Sequence, residues 1–178
     1  MQHPYFYKKI GNISKEFMQA ANDYFNSPDF KLDTAADFSP DVINTCTLTP
    51  LLKKMLLEKE LSPFFKKDGH VATNVAVMSP MSYLKEHGDL SSQYKIDLDQ
   101  DKFSKIVKLQ IPIITNDKVG MMWAPTAMNT RVTSFDLGGI YIIDNIRTHS
   151  AVNLSNEYRY YVTSRYDLDS LLDKSLIE

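Results

Sequence analysis

The feature that most constrains this chain is a change of hydrophobic period near Gly69. Before it, apolar residues recur at helical spacing; after it, they alternate with polar ones. Ser14 is placed to cap a helix over Lys15 to Phe25, where Phe17, Ala20, Ala21 and Tyr24 form one apolar face. Ser27-Pro28 ends that run, and Asp29 to Asp41 reads as irregular. A second helix is predicted from about Pro50 to Lys59, with Leu51, Met55 and Leu56 facing inward. Beyond Gly69, Val71, Thr73, Val75 and Val77 alternate with Ala72, Asn74 and Ala76 up to Ser79-Pro80. Further short strands are predicted over Ser82 to Glu86, Ile106 to Thr115, Val119 to Trp123, Arg131 to Phe135, Ile140 to Ile143 and Tyr158 to Ser164. Strands this short and this numerous build an antiparallel sandwich or barrel, whose outer face the N-terminal helices are expected to cover.

The 178 residues suit one domain, a helical part over about 1–69 and a β core over about 70–168. A net charge of −2 gives no bulk electrostatic reason to expect nucleic acid or an anionic membrane as partner. The single cysteine, Cys46, makes no internal disulfide, which fits a reducing compartment. Met1 to Ile10 lacks the apolar stretch of a signal peptide, and no run reaches membrane-spanning length. The expectation is a cytoplasmic protein, monomer or homodimer, acting on a small molecule or a peptide.

Chemistry enters at His87-Gly88-Asp89. On an extended backbone, residues i and i+2 project to one side, so an imidazole and a carboxylate reach one ion together. Gly88 lets the chain turn beside them. The best third ligand is His149, in Arg147-Thr148-His149-Ser150-Ala151-Val152-Asn153. Two histidines and one carboxylate on one face of an octahedron leave three positions open, which suits iron(II) with a bidentate oxo-acid and dioxygen. Taken alone, the doublet also reads as a surface histidine beside a capping aspartate.

Ten residues after His149 stands Arg159, within Tyr158-Arg159-Tyr160-Tyr161-Val162-Thr163. A guanidinium among apolar and aromatic neighbours is costly to bury unless an anion pairs with it. Its fork matches a carboxylate, such as the distal one of 2-oxoglutarate, and Thr163 lies on the same strand face as a second donor. Alone, Arg159 also reads as a strand arginine pointing to solvent.

These residues resemble the aspartyl/asparaginyl β-hydroxylase and L-proline cis-hydroxylase branch of the iron(II)/2-oxoglutarate oxygenases. The resemblance runs from about Val75 to Asp167, carried by His87-Gly88-Asp89, the strand Val107 to Asn116, and Gly139 to Asn153 followed by Arg159. It implies a mainly β fold, a double-stranded β-helix (jelly-roll, cupin-like) with supporting N-terminal helices. It further implies iron(II) at His87, Asp89 and His149, 2-oxoglutarate anchored by Arg159, dioxygen as co-substrate, and hydroxylation of an amino acid such as proline or of a peptidyl residue. Family members commonly carry Arg and His two apart where this chain has Lys108 and Gln110, which become candidate co-substrate contacts. Arg131, Arg147, Asn153 and Trp123 are candidate substrate contacts. Two other readings stay open: a zinc or manganese isomerase or hydrolase on a cupin-like barrel, and a non-catalytic β-sandwich binding protein.

Overall fold

Alternation along four central strands sorts the chain into an oily layer and a polar one. The computed structural model describes residues 7–31, 43–87, 105–123, 131–144 and 149–177, with side chains at all but 43–45, 86–87 and 131–132. On β3 (His70–Met78), β5 (Ile106–Ile114), β8 (Gly139–Ile143) and β10 (Arg159–Asp167), one set of residues turns to the helices. Val75, Val77, Val107, Leu109, Ile111, Ile140, Ile142 and Val162 pack there against Phe17, Leu52, Leu56, Leu61 and Phe65. The other set faces a second sheet, where Met78, Tyr141 and Ile143 meet Met121, Trp123 and Ala151. The strand positions between them belong to the polar residues taken up below.

The larger sheet runs β1-β8-β5-β10-β3-β2, with β1 at Tyr7–Asn12 and β2 at Ile43–Cys46. The smaller runs β4-β9-β6-β7, with β4 at Ser82–His87, β6 at Val119–Trp123, β7 at Arg131–Thr133 and β9 at His149–Asn153. Every pairing is antiparallel. Strands β3 to β10 in the orders 8-5-10-3 and 4-9-6-7 form a jelly roll, the double-stranded β-helix. Two edge strands of opposite sheets meet at Tyr7, whose hydroxyl accepts a hydrogen bond from Thr133 (3.0 Å) and whose ring stacks on Trp123 at 5.5 Å.

Four elements depart from the sequence expectation. Strands β1 and β2 lie in the part expected to be helical; each is short, and each is a strand because an edge of the jelly roll is there to pair with. Strand β9 has small and polar residues in place of a β-branched run, so alternation gave it no signal. In the second helix, Leu51 is 68% exposed, while Leu52 and Leu56 are buried. Leu52 and Leu56 stand four residues apart and share the buried face, which leaves Leu51 outside it; Thr49 caps the helix, Pro50 opens it, and after α2 (Pro50–Met55) the chain widens into a π turn over Leu56–Glu60.

That turn brings Glu60 to the start of α1 (Lys15–Phe25). Its carboxylate accepts from the Ser14 backbone N–H at 2.7 Å and from the Ser14 hydroxyl at 2.6 Å. Ser14 Oγ in turn accepts from Phe17 N–H at 3.1 Å, as an N-cap does. Caps of this kind stabilise by about 1 kcal/mol each, and here the cap ties two helices. Among the described residues no helix is long and apolar enough to cross a membrane.

Under the helices, His70 Nε2 lies 2.8 Å from Thr73 Oγ1, which lies 2.9 Å from Ser164 Oγ. The His70 ring meets Tyr166 edge-on, and burial pushes the Tyr166 phenol up to about 12. Burial, and secondarily the charge of Lys53, holds the His70 imidazole below its ordinary range. The unfolded chain therefore binds the His70 proton more readily than the folded one, so stability rises with pH across the window. Urea denaturation of the wild type is expected to lose stability as pH falls below about 6.5, and His70→Gln is expected to remove that increment.

Candidate active site

The site is built from the facing surfaces of the two sheets. Strand β9 lies between β4 and β6, and its His149, Ala151 and Asn153 are all buried. In the ladder, His149 pairs with Trp123 on β6 and with His87 on β4. The His87 pairing depends on a bulge. Leu84 stands opposite Ala151, so regular pairing would set Glu86 opposite His149; a register shift between Leu84 and His87 advances the strand one residue and installs His87 instead. Two expected ligand positions thus become cross-strand neighbours, which lie about 5 Å apart in an antiparallel ladder. The third, Asp89, lies outside the described residues, as does Arg147. Among the described residues no group of three or more His, Cys, Asp or Glu is gathered to hold a metal.

Asn153 fixes how the two sheets face each other. Its side-chain amide donates to the backbone carbonyls of Ser79 (2.9 Å), Glu157 (2.8 Å) and Met78 (3.4 Å), while its Oδ1 accepts from Ser155 N–H (3.1 Å) and Ser155 Oγ (2.7 Å). These bonds bring the end of β9 to the level of Met78, whose ladder partner is Arg159. One step along, Leu84, the partner of Ala151, packs on Ala76 and Tyr161. Two residues beyond Tyr161 on β10, Thr163 has Gln110 and Asn74 as its ladder partners. Expected as a substrate contact, Asn153 has both amide hydrogens and its carbonyl occupied within the fold. Its role in this structure is that of a clamp.

Arg159 is 2% exposed, and among the described residues its Nε and Nη1 have no hydrogen-bond partner. No described carboxylate pairs with it. Its Cζ lies 4.3 Å from the centre of the Tyr161 ring. Burial draws the guanidinium pKa below its ordinary value, and the nearby Tyr161 opposes that shift. A buried cation with two idle donors costs several kcal/mol, which an anion between the sheets relieves.

Gln110 repeats the pattern one strand over: it is 1% exposed, and its buried Nε2 has no hydrogen-bond partner among the described residues. Lys108 is on the same strand face, half-buried. Thr163 differs from expectation. Its hydroxyl donates to Asn74, at Oδ1 and, more weakly, at the backbone oxygen 3.3 Å away, so it has no proton left for a co-substrate and fixes the Asn74 amide instead. Asn74 and Tyr161 are the residues sequence reasoning missed. Tyr161 was within reach, two residues from Arg159 on one strand face, whereas Asn74 meets Thr163 only through sheet pairing. Trp123 is fully buried beside His149, and Arg131 is its ladder partner on β7.

No protein-family sequence model matches the chain, and no curated protein matches it in sequence. Solved structures do match in shape. HygX from Streptomyces hygroscopicus, crystallised with nickel and 2-oxoglutarate bound, aligns with a TM-score of 0.63 at 12% identity, over 91% of this chain and 82% of that one. A Pseudomonas putida prolyl-4-hydroxylase aligns with a TM-score of 0.61 at 10% identity, over 92% and 93%. An oxidoreductase of the 2OG-Fe(II) oxygenase family from Burkholderia pseudomallei aligns with a TM-score of 0.59 at 11% identity, over 89% and 80%. The likeness is one of fold.

The clamp gives a direct test. Asn153→Ala is expected to lose about 3 kcal/mol of stability in urea denaturation, since it strands several buried backbone groups at once. Asn153→Asp, which keeps the shape and loses the donors, is expected to lose a comparable amount.

Proposed function

We propose that this protein is an iron(II)- and 2-oxoglutarate-dependent oxygenase. The observation that carries the reading is Arg159, buried on the inner sheet face ten residues after His149, with two guanidinium donors that have no hydrogen-bond partner among the described residues. An isomerase or hydrolase on the same barrel has no use for an anion clamp in that place. The jelly-roll fold, shared with 2-oxoglutarate oxygenases, supports the same reading.

In this reading His87, Asp89 and His149 hold the metal, and the histidine pairing across β4 and β9 supports that ligand set. Two imidazoles and one carboxylate leave room for a chelating oxo-acid and for dioxygen. Iron bound there supplies oxygen activation, coupled to decarboxylation of 2-oxoglutarate to succinate and carbon dioxide. The chain supplies the rest. Arg159 holds the far carboxylate of 2-oxoglutarate through charge-assisted hydrogen bonds. Gln110 Nε2 donates to the oxo-acid from β5, Lys108 adds positive charge at its outer side, and Thr163 keeps the Asn74 amide aimed inward. Apolar walls from Met78, Met121, Ala151 and Ile143 exclude water from the reacting centre.

The substrate is a small molecule or a peptide, hydroxylated on a proline-like amino acid or a peptidyl residue. The sequence resemblance to proline and aspartyl/asparaginyl hydroxylases supports that class. Trp123 lines the substrate side from the position next to His149. Arg131, its ladder partner, and Arg147, two residues before His149, receive a polar or carboxylate group.

Anaerobic addition of iron(II) and then 2-oxoglutarate is expected to give a charge-transfer band in the visible, and incubation with amino acids and peptides to add one oxygen by mass spectrometry. His149→Ala is expected to abolish succinate formation. Arg159→Ala is expected to raise the KM for 2-oxoglutarate on the order of 100-fold by removing one partner of a buried charge pair. Full turnover by His149→Ala, or zinc binding with no response to 2-oxoglutarate, would overturn the assignment.

A further inference from the structure

Within the co-substrate site just proposed, one aromatic ring has a position that sequence and fold leave unexplained. Tyr161 is 8% exposed, on the inner face of β10, two residues from Arg159. Its ring centre lies 4.3 Å from the Arg159 Cζ, within the range in which a guanidinium stacks on an aromatic face. Leu84 and Ala76 pack against Tyr161, so apolar side chains surround the ring. An arginine side chain has four rotatable bonds, and among the described residues no counter-charge holds its head. The ring supplies that hold while leaving Nε and Nη1 idle for a ligand.

We infer that Tyr161 is a positioning residue for co-substrate binding: its ring face carries the Arg159 guanidinium and presents the fork, already oriented, to the distal carboxylate of 2-oxoglutarate. The inference rests on the co-substrate reading above. Its physical content is pre-organisation. A guanidinium already seated on the ring loses less side-chain freedom when the diacid arrives, and a desolvated cation over an aromatic face is attracted by the ring quadrupole. The hold asked of Tyr161 is that of its ring face, which phenylalanine keeps, whereas leucine and methionine fill the space without a quadrupole. Tyr161 acts through Arg159, and its removal alters oxo-acid binding more than the rate of a loaded site.

Calorimetric binding of 2-oxoglutarate to the full chain loaded with manganese(II) under anaerobic conditions tests this without turnover. Tyr161→Phe is expected to bind within about twofold of wild type, and Tyr161→Leu and Tyr161→Met about tenfold more weakly, with manganese affinity unchanged in all three. In an Arg159→Ala background, Tyr161→Leu is expected to add little, because the two residues act as one unit. Wild-type affinity in both the Leu and Met variants overturns the inference. So does a loss in Tyr161→Phe equal to that in Tyr161→Leu, which would assign the effect to the hydroxyl. A Leu or Met variant that also loses manganese affinity assigns Tyr161 to the architecture of the fold and overturns it too. Failure of the wild type to bind 2-oxoglutarate, or equal binding by Arg159→Ala, would instead sink the co-substrate reading, and this inference with it.

Discussion

Strand β10 lies between β3 and β5 and has to serve two solvents at once. Its period-two geometry puts Val162 and Tyr166 into the oily layer under the helices, and Arg159, Tyr161 and Thr163 between the sheets. A slip of one residue would exchange the two faces, burying a guanidinium in hydrocarbon and exposing Val162 to the polar layer. Pairing on both edges, with β3 and with β5, holds the register against that slip. The helix layer and the site therefore depend on the same ladder, and neither can shift without the other.

The smaller sheet meets this strand through two local devices. A bulge in β4 exchanges Glu86 for His87 opposite His149, so the pairing of two imidazole-bearing positions is a matter of backbone register. The Asn153 side chain then bonds to carbonyls at the end of β3 and before β10, and so ties the end of β9 to the larger sheet. Both devices lie at strand ends, where the ladder alone leaves register weakest.

The electrostatics follow from that arrangement. A guanidinium drawn from water is tolerated where it has a partner, and the described residues give Arg159 only an aromatic face. Gln110, one strand away, likewise holds a donor without an acceptor. Donors that are buried and idle on the same inner surface describe the outline of an anionic, oxygen-rich ligand by its complement. The shape of the fold agrees with known 2-oxoglutarate-binding structures, but the donors are this chain's own.

Much of this was legible in the residues. The helix from Lys15 to Phe25, most of the strands, and the division of Val107, Leu109 and Ile111 from Lys108 and Gln110 all follow from local periodicity, which side-chain burial enforces along any amphipathic element. Arg159 marked itself by standing charged in an apolar strand. What periodicity could not give were features set by partners distant in the chain: the edge strands β1 and β2, the small-residue strand β9, and which face of the second helix packs inward. The same holds for Thr163, whose proton goes to Asn74 across a ladder, and for Asn153, which became a clamp once β3 came within reach. By itself the sequence determined which residues share a strand face and which of those faces are apolar, because alternation is a property of the local backbone. Only the tertiary structure decided which of those faces meet, at what level, and which polar groups are left without a partner, because pairing, bulges and buried hydrogen bonds exist only between segments.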